Sequence, residues 1–193
     1  MTVQRCGWCS TDPLYMAYHD QEWGQVLRDE QRLFEMLCLE GQQAGLAWIT
    51  VLKKREAYRE HFFQYPIESI AALTDQQLEL KLKDARLIRY RGKLNAIRDN
   101  AQAWLKLQQQ GIHMIEWLWS FAQPPRLNHD IPDYRQATAQ SIESQRMSKA
   151  LKQAGFKFVG PTICYAFMQA VGMVDDHENH CDFKTPSPHI NKS

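Results

Sequence analysis

Helical periodicity, with no competing strand pattern, is the feature that most restricts how this chain can fold. Asp29 is placed to cap a helix whose apolar side chains recur at the i, i+3, i+4 spacing of one face. Further helical segments are predicted over LAWITVLKKREAYREHFF, DQQLELKLKDA, LIRYRGKLNAIRDNAQAWLKLQQQ, HMIEWLWSFA, SIESQRMSKALKQA and PTICYAFMQAV. No stretch of useful length alternates apolar and polar residues, so the sequence predicts an all-α fold.

Local signals divide these helices. Thr74 followed by Gln77 forms a capping-box pattern, and Gly155 is placed to end a helix in the left-handed conformation. GQQAG, residues 41–45, predicts a break directly after Glu40, which is the one carboxylate at an apolar position of its helix. The polar tail from residue 182 onward is expected to fray.

Length and composition describe an ordinary globular chain. It has 193 residues, of which 44% are hydrophobic and 23% charged, enough for one unit with a core of its own. No apolar run of about 18 residues predicts a membrane span. The N-terminus MTVQRCGW lacks the apolar core of a signal peptide, so a cytoplasmic location is expected. A net charge of +1 neither predicts nor excludes nucleic-acid binding.

Five cysteines occur at positions 6, 9, 38, 164 and 181. An odd, scattered set in an intracellular chain argues against a disulfide framework. Cys38 and Cys164 lie inside apolar helical patterns and are predicted to be core residues. A redox role for Cys6-x-x-Cys9 would require a strand leading into a helix at the motif, and no strand precedes it.

Zinc is the metal that the remaining cysteines would suit. Cysteine and histidine are its preferred ligands, and the chain carries one such pair near each end. The pairs are Cys6 with His19, and His177 with Cys181. One shared ion would join the two ends of the chain, whereas surface histidines beside a buried cysteine are the alternative. Cys9 and His180 are competing ligands.

Large aromatic rings are concentrated in the first quarter of the chain. They are Trp8, Tyr15, Tyr18, Trp23 and Trp48. Any one of them could be a core residue. Their proximity in sequence to Glu40 instead favours a pocket for a planar cation, which rings and a carboxylate together would bind.

The segment GFKFVGPTICYAFMQAVG, residues 155–172, combines a helix end, a tight turn with glycine and a new helix. Backbone N–H groups at such a turn can bind a DNA phosphate, as in a helix-hairpin-helix clamp. An ordinary αα-hairpin has the same pattern, and the sequence alone leaves both open.

Four long blocks in order give the chain a specific resemblance. They are RCGW at 5–8, DPLYMAYHDQEWG at 12–24, LFEMLCLEGQQAGLAWITVLKKR at 33–55 and GFKFVGPTICYAFMQAVGMVDDH at 155–177. Over about residues 4–181, the chain resembles the bacterial 3-methyladenine DNA glycosylase I family. The resemblance implies a single helix-hairpin-helix glycosylase unit over 1–193 with two helical lobes. The terminal lobe would combine 1–45 with 140–185, and the middle lobe would span 46–139.

The same resemblance implies a base-excision repair activity. Its reaction is hydrolysis of the N-glycosidic bond of N3-methyladenine in alkylated double-stranded DNA, after the damaged nucleotide leaves the stack. No lysine falls at a recognisable Schiff-base position, so no lyase activity is expected. A monomer that binds DNA and no membrane is expected.

The resemblance also implies site residues. A structural zinc ion would be held by Cys6, His19, His177 and Cys181. The base pocket would comprise Glu40, Tyr18 and Trp48, with Trp8, Tyr15 and Trp23 nearby. The DNA contacts would be Gly45 and Leu46, which fill the gap left by the flipped nucleotide, and Lys157 and Gly160 near phosphate. A superfamily aspartate falls at Asp175 or Asp176, and Asp175 is taken as a second catalytic candidate after Glu40.

Overall fold

In the computed structural model, the described residues are 2–122 and 127–185, without the side chain of residue 127. Helices account for nearly all the regular structure in these ranges, which confirms the all-α prediction. The helices are α1 (Pro13–Gln21), α2 (Glu30–Gln43), α3 (Trp48–Leu52), α4 (Arg55–Tyr58), α5 (Ile67–Ala71), α6 (Asp75–Leu82), α7 (Arg91–Gln109), α8 (Met114–Trp119), α9 (Ile142–Ala154) and α10 (Pro161–Ala170). In the described part of the chain, no helix combines the length and hydropathy that crossing a membrane requires.

Helix α2 lies at the centre and packs against α3, α7, α8 and α10. The Asp29 side chain accepts a hydrogen bond from Arg32 N at 2.8 Å, so the predicted cap is confirmed. The predicted break directly after Glu40 is wrong, because the helix continues through Gly41 to Gln43. A Cβ at Gly41 would lie 3.2 Å from Phe158 Cβ, so glycine lets α2 approach the turn before α10 closely.

The α9–α10 hairpin forms where the sequence predicts it. Gly155 ends α9 at φ 102°, and the turn includes Phe158 at φ 54°. Asn100 of α7 holds this turn through two hydrogen bonds with the backbone of Lys157, at 2.7 and 3.2 Å. Gly160 then caps α10, with Pro161 in its first turn. The hairpin is therefore fixed against α7 as well as against α2.

Two predicted long helices are interrupted by tertiary contacts. Residues 46–63 form α3, α4 and a π-helical turn (Arg59–Phe63) in place of one helix. The helix predicted from residue 87 begins at Arg91. Lys54 Nζ donates to the carbonyls of Ala85 and Arg86 at 2.9 and 3.1 Å, which satisfies them outside a helix. The predicted capping box of Thr74 and Gln77 is confirmed.

Two short strands tie the C-terminal segment to the body. β1 (Leu127–Asn128) pairs in parallel with β2 (Val174–Asp175), and pairs this short leave no alternating pattern in a sequence. The prediction that the whole polar tail frays is wrong for residues 182–185. Lys184 Nζ donates to the carbonyls of His129 and His177, both at 2.6 Å. Residues 186–193 of the expected frayed tail lie outside the described residues.

Candidate active site and adjoining metal-ligand group

A cavity of about 270 Å³ opens beside α2 and α10. Its lining includes all five rings that the sequence singles out, namely Trp8, Tyr15, Tyr18, Trp23 and Trp48. Glu40 lines the same cavity. The structure therefore brings together the aromatic residues and the carboxylate that the sequence could only place near one another along the chain.

The rings form two groups around this space. Trp8 contacts Tyr15 and Trp23, with ring centroids 5.2 and 4.9 Å apart. Tyr18 and Trp48 form the other pair at 5.4 Å, tilted by 45°. Walls of this kind bind flat molecules by stacking and attract cations to the ring faces.

Glu40 is a buried acid whose hydrogen bonding is incomplete. Only 3% of the residue is exposed, and burial raises the pKa of its carboxyl to about 8. Within residues 2–122 and 127–185, Glu40 Oε2 has no hydrogen-bond partner, and neither does Trp48 Nε1. A buried polar atom without a partner is unfavourable, so a ligand that supplies one is bound more tightly. Glu40 and Trp48 both line the cavity, so each has one buried polar atom available for a further hydrogen bond.

Tyr15 and Tyr18 remain protonated at neutral pH. Burial, followed by the nearby Glu40 carboxylate, raises the pKa of Tyr18 well above its usual value of 10. Burial also raises the pKa of Tyr15 to about 12. Both hydroxyl groups are therefore hydrogen-bond donors, while the Glu40 carboxyl accepts when ionised.

The adjacent residues Asp175 and Asp176 lie in different surroundings. Asp176 lines the cavity, where it accepts hydrogen bonds from Tyr165 at 2.7 Å and Gln169 at 2.8 Å. Asp175, the predicted second catalytic residue, is not among the lining residues. Its Oδ1 lies 2.8 Å from His177 Nδ1, and its other oxygen accepts from Thr185. The geometry therefore gives Asp175 the task of orienting His177.

Three of the four predicted metal ligands form a buried group. The ligand atoms of Cys6, His19 and Cys181 all lie within 4.8 Å of one another. Hydrogen bonding to Cys6 lowers the pKa of the Cys181 thiol well below its usual range, against burial and with a further contribution from His19. The same bond raises the pKa of Cys6. A thiolate between a second thiol and an imidazole is a donor set suited to zinc.

The fourth predicted ligand, His177, adjoins this group without belonging to it. Its ring centroid lies 5.3 Å from that of His19, and its buried Nε2 has no hydrogen-bond partner in the described part of the chain. Nδ1 of each histidine is bound by a carboxylate at 2.8 Å, Asp20 for His19 and Asp175 for His177. Carboxylates in this position orient zinc-binding histidines, so the four residues fit the metal.

The two competing ligands lie elsewhere. Cys9 is half-buried, and its thiol contacts the carbonyl of Ser10 at 3.6 Å. His180 Nε2 donates to the carbonyl of Arg5 at 3.2 Å from an exposed position. Neither residue belongs to the buried ligand group.

The cavity and the ligand group share side chains. The Trp23 ring lies edge-on to His177 with centroids 4.6 Å apart, and Trp8 lies 5.1 Å from His19. A shift of either histidine would therefore move a wall of the cavity.

The residues expected to contact DNA lie near the end of α2 and in the α9–α10 hairpin. Gly45 has φ 78°, and the following Leu46 is 40% exposed. Lys157 and Gly160 lie in the hairpin turn. An added Cβ at Gly160 would have no heavy-atom neighbour within 4 Å, leaving this helix start open to a ligand.

Several lining residues were missed by the sequence analysis. Tyr134 comes from the segment interpreted only as a connecting loop, and Gln169 comes from the apolar helix α10. Asp20 was also missed as the partner of His19. The adjacent pair His19-Asp20 could have indicated an imidazole held by a carboxylate, whereas no sequence signal indicated Tyr134 or Gln169.

A family model described as methyladenine glycosylase matches residues 8–185. The chain belongs to the methyladenine glycosylase family. It is 52% identical over 185 residues to DNA-3-methyladenine glycosylase 1 of Escherichia coli strain K12, covering 93% of this chain and 96% of that protein. A crystal structure of a 3-methyladenine DNA glycosylase I has a TM-score of 0.92 at 49% identity, over 94% of this chain and 100% of the other.

A structure of the Staphylococcus aureus family member, solved to explain its recognition of 3-methyladenine, is 36% identical with a TM-score of 0.90. It covers 95% of this chain and 97% of that one. These relationships confirm the family that the sequence motifs indicated.

Replacing Glu40 by glutamine should raise the melting temperature at pH 9 by several degrees and change it little at pH 5. Burial raises the folded-state pKa from 4.5 to about 8, so the folded protein holds a proton that the unfolded chain has released between these values. Wild-type stability therefore falls as the pH rises through this window, whereas the amide is neutral throughout. Thermal unfolding followed by circular dichroism at pH 5, 7 and 9 tests this, and a pH-independent difference would contradict it.

Proposed function

We propose that this protein excises N3-methyladenine from alkylated double-stranded DNA by hydrolysing its N-glycosidic bond. The observation that carries the proposal is Glu40, a buried carboxylate that lines a cavity walled by aromatic rings and has one oxygen without a hydrogen-bond partner among the described residues. Membership of the methyladenine glycosylase family and relatives with this activity in their names support it. A planar base carrying positive charge is the ligand that such a cavity would select.

Selection rests on charge and hydrogen bonding. Methylation at N3 gives the adenine a positive charge, which both weakens its bond to the sugar and complements the ionised carboxyl of Glu40. The exocyclic amine of the base donates to Glu40, while Tyr18 and Trp48 pack against the ring. Unmodified adenine is neutral and would leave the carboxylate poorly compensated in its buried position.

The reaction needs a good leaving group more than a strong acid. Water attacks the sugar carbon and releases one proton to solvent, the bond to the base breaks, and the electron pair of that bond neutralises the charge on the departing ring. Among the described residues that line the cavity there is no lysine to form a Schiff base. The proposal is therefore of a monofunctional enzyme that leaves the sugar–phosphate backbone intact and acts as a monomer.

Zinc bound by Cys6, His19, His177 and Cys181 would supply structural stability here. The site would join the N-terminal segment, which carries Trp8, to the C-terminal segment, which carries Asp176. Both of these residues line the cavity. The proposal accordingly places the terminal lobe over 1–45 and 140–185 and the middle lobe over 46–139.

DNA would be held at the α9–α10 turn and opened by the segment after α2. Lys157 and the free helix start at Gly160 are suited to phosphate, which supports a helix-hairpin-helix clamp. Gly45 and Leu46 would enter the space that the flipped nucleotide leaves. An exposed apolar side chain beside a glycine in the left-handed conformation suits insertion between bases.

Replacing Leu46 by alanine should lower base release from duplex DNA by about tenfold or more, because the opened stack loses its apolar filler. The folded protein should be little affected, since Leu46 is 40% exposed. Leu80→Ala, at a 58% exposed leucine on α6, is the matched control. A similar loss in both variants, or none in Leu46→Ala, would contradict the role given to Leu46.

The activity itself is tested by incubating the protein with methylated duplex DNA and chromatographing the released bases. Free 3-methyladenine should appear, and the strand should remain uncut until treated with alkali. Strand cleavage without alkali would overturn the monofunctional assignment. No release by a folded, metal-loaded protein would overturn the glycosylase assignment.

A further inference from the structure

A buried lysine binds the end of α2. Lys93, in the first turn of α7, is 7% exposed, and its Nζ lies 2.7 Å from the carbonyl oxygens of both Gln42 and Ala44. The contact is reciprocal, because the Gln42 side-chain amide donates to the carbonyl of Lys93 at 2.9 Å. The hydroxyl of Tyr58, itself fully buried, donates to the other end of the Gln42 amide at 2.9 Å.

The cluster of Lys93, Gln42 and Tyr58 holds the chain between Glu40 and the segment expected to enter DNA. Gln42 lies two residues after Glu40, and Ala44 immediately precedes Gly45 and Leu46. The last carbonyls of a helix lack partners within it, and a cation satisfies both their hydrogen bonding and the negative end of the helix dipole. The last turn of α2 contains no basic residue of its own, so the cation comes from α7.

Ending α2 with a buried ammonium group costs free energy of desolvation. Burial lowers the pKa of Lys93, since an ammonium group is less well solvated there. In the described part of the chain no carboxylate compensates the Lys93 ammonium group by an ion pair, and the ammonium group donates to the two carbonyls. Glycine in the left-handed conformation commonly ends a helix without a buried charge. Gly45 follows the end of α2 in this conformation, and Lys93 binds the last carbonyls in addition.

We propose that Lys93 is a positioning residue that holds the Gly45–Leu46 segment in the geometry required to enter duplex DNA. The inference rests on the proposed function, because the Gly45–Leu46 segment is the one that the proposed activity uses to open the base stack. Lys93 acts through the backbone of residues 42–44 and touches neither base nor cavity. Its effect should therefore depend on whether the substrate has a stack to open.

The test compares one damaged base in two settings. Lys93→Met keeps an unbranched apolar stem of the same four atoms in length and removes the ammonium group. Release of 3-methyladenine from methylated duplex DNA should fall by about tenfold or more, the size expected for losing charge-assisted hydrogen bonds. Release from methylated single-stranded DNA, and the quenching of tryptophan fluorescence by free 3-methyladenine, should change by less than about twofold, because the cavity is intact.

Lys81 provides the matched control. It is a partly buried lysine whose Nζ donates to the carbonyl of His61 at 2.8 Å, and burial lowers its pKa as well. It lies on α6, away from the cavity. Lys81→Met should reduce thermal stability without changing the ratio of duplex to single-strand activity.

A double-mutant cycle tests the route of action. If Lys93 works by holding Leu46, the variant with both Lys93→Met and Leu46→Ala loses no more duplex activity than the worse single variant. Independent, multiplying losses would overturn the proposal, and so would an equal loss on duplex and single-stranded DNA. Should Lys93→Met fail to fold, Tyr58→Phe loosens Gln42 without removing a charge. A duplex-specific loss in that variant supports the proposal, and an unchanged ratio overturns it.

A wild-type protein that releases no base from either DNA would refute the proposed function itself. That result is distinct from a failure of the Lys93 assignment, which requires an active wild type.

Discussion

Replacing Glu40 by glutamine should reduce kcat/KM for release of 3-methyladenine from duplex DNA by about 100-fold, or about 3 kcal/mol of binding to the transition state. The amide has nearly the same shape as the carboxyl group but carries no charge, so it cannot compensate a cationic base. One of its two terminal atoms is also a donor, which would face the donor amine of the base. The loss should therefore arise from chemistry and not from altered packing.

The pH profile separates this role from a general loss of function. Because burial raises the pKa of Glu40 to about 8, wild-type activity should increase as the pH rises toward that value and ionises the carboxyl. The glutamine variant should lack this increase. An unchanged rate in Glu40→Gln, or a pH rise that survives the substitution, would move base recognition to another residue.

Glu35 offers a control on the same helix. It is also buried, but its carboxylate is paired with Arg59 at 2.7 Å and does not line the cavity. Glu35→Gln should affect stability and leave base release nearly unchanged. Equal losses in both variants would indicate that any buried charge on α2 matters only for folding.

Local capping chemistry explains which parts of the fold the sequence could predict. Asp29, the Thr74–Gln77 box and the left-handed Gly155 each act within about four residues, so their signals are visible in the chain. The interruption of residues 46–63 and the late start of α7 involve partners far away in sequence. Lys54, for example, bonds carbonyls more than 30 residues further on.

The two adjacent aspartates show a second limit. Successive side chains of extended backbone point in opposite directions, so Asp175 and Asp176 serve the histidine ligand and the cavity respectively. The motif VDDH gives no means of choosing between them. In the same way, the ring-rich N-terminal quarter predicted an aromatic pocket, while Tyr134 and Gln169 entered it only through tertiary folding.

Removing the metal should cause the largest change in stability. A zinc ion held by Cys6, His19, His177 and Cys181 would close a loop of nearly the whole chain, and in the loop-entropy model closing a loop of this size contributes about 5 kcal/mol. At roughly 2–4 °C per kcal/mol, Cys6→Ser or treatment with a strong chelator should lower the melting temperature by about 10–20 °C. Base release should be lost as well, since Trp8 packs against His19 and Trp23 packs against His177.

Measurements of the zinc content and of the melting temperature together test this prediction. Atomic emission should find about one zinc per wild-type chain and much less in Cys6→Ser or His177→Gln. Adding Zn²⁺, but not Mg²⁺, to the stripped wild type should restore its melting temperature, because thiolate and imidazole ligands favour the softer ion. Cys9→Ser is the matched control, since this half-buried thiol lies outside the ligand group and should keep both zinc and stability. A stable, active wild type without metal would refute the assignment. The buried Nε2 of His177, which has no hydrogen-bond partner among residues 2–122 and 127–185, would then need another explanation.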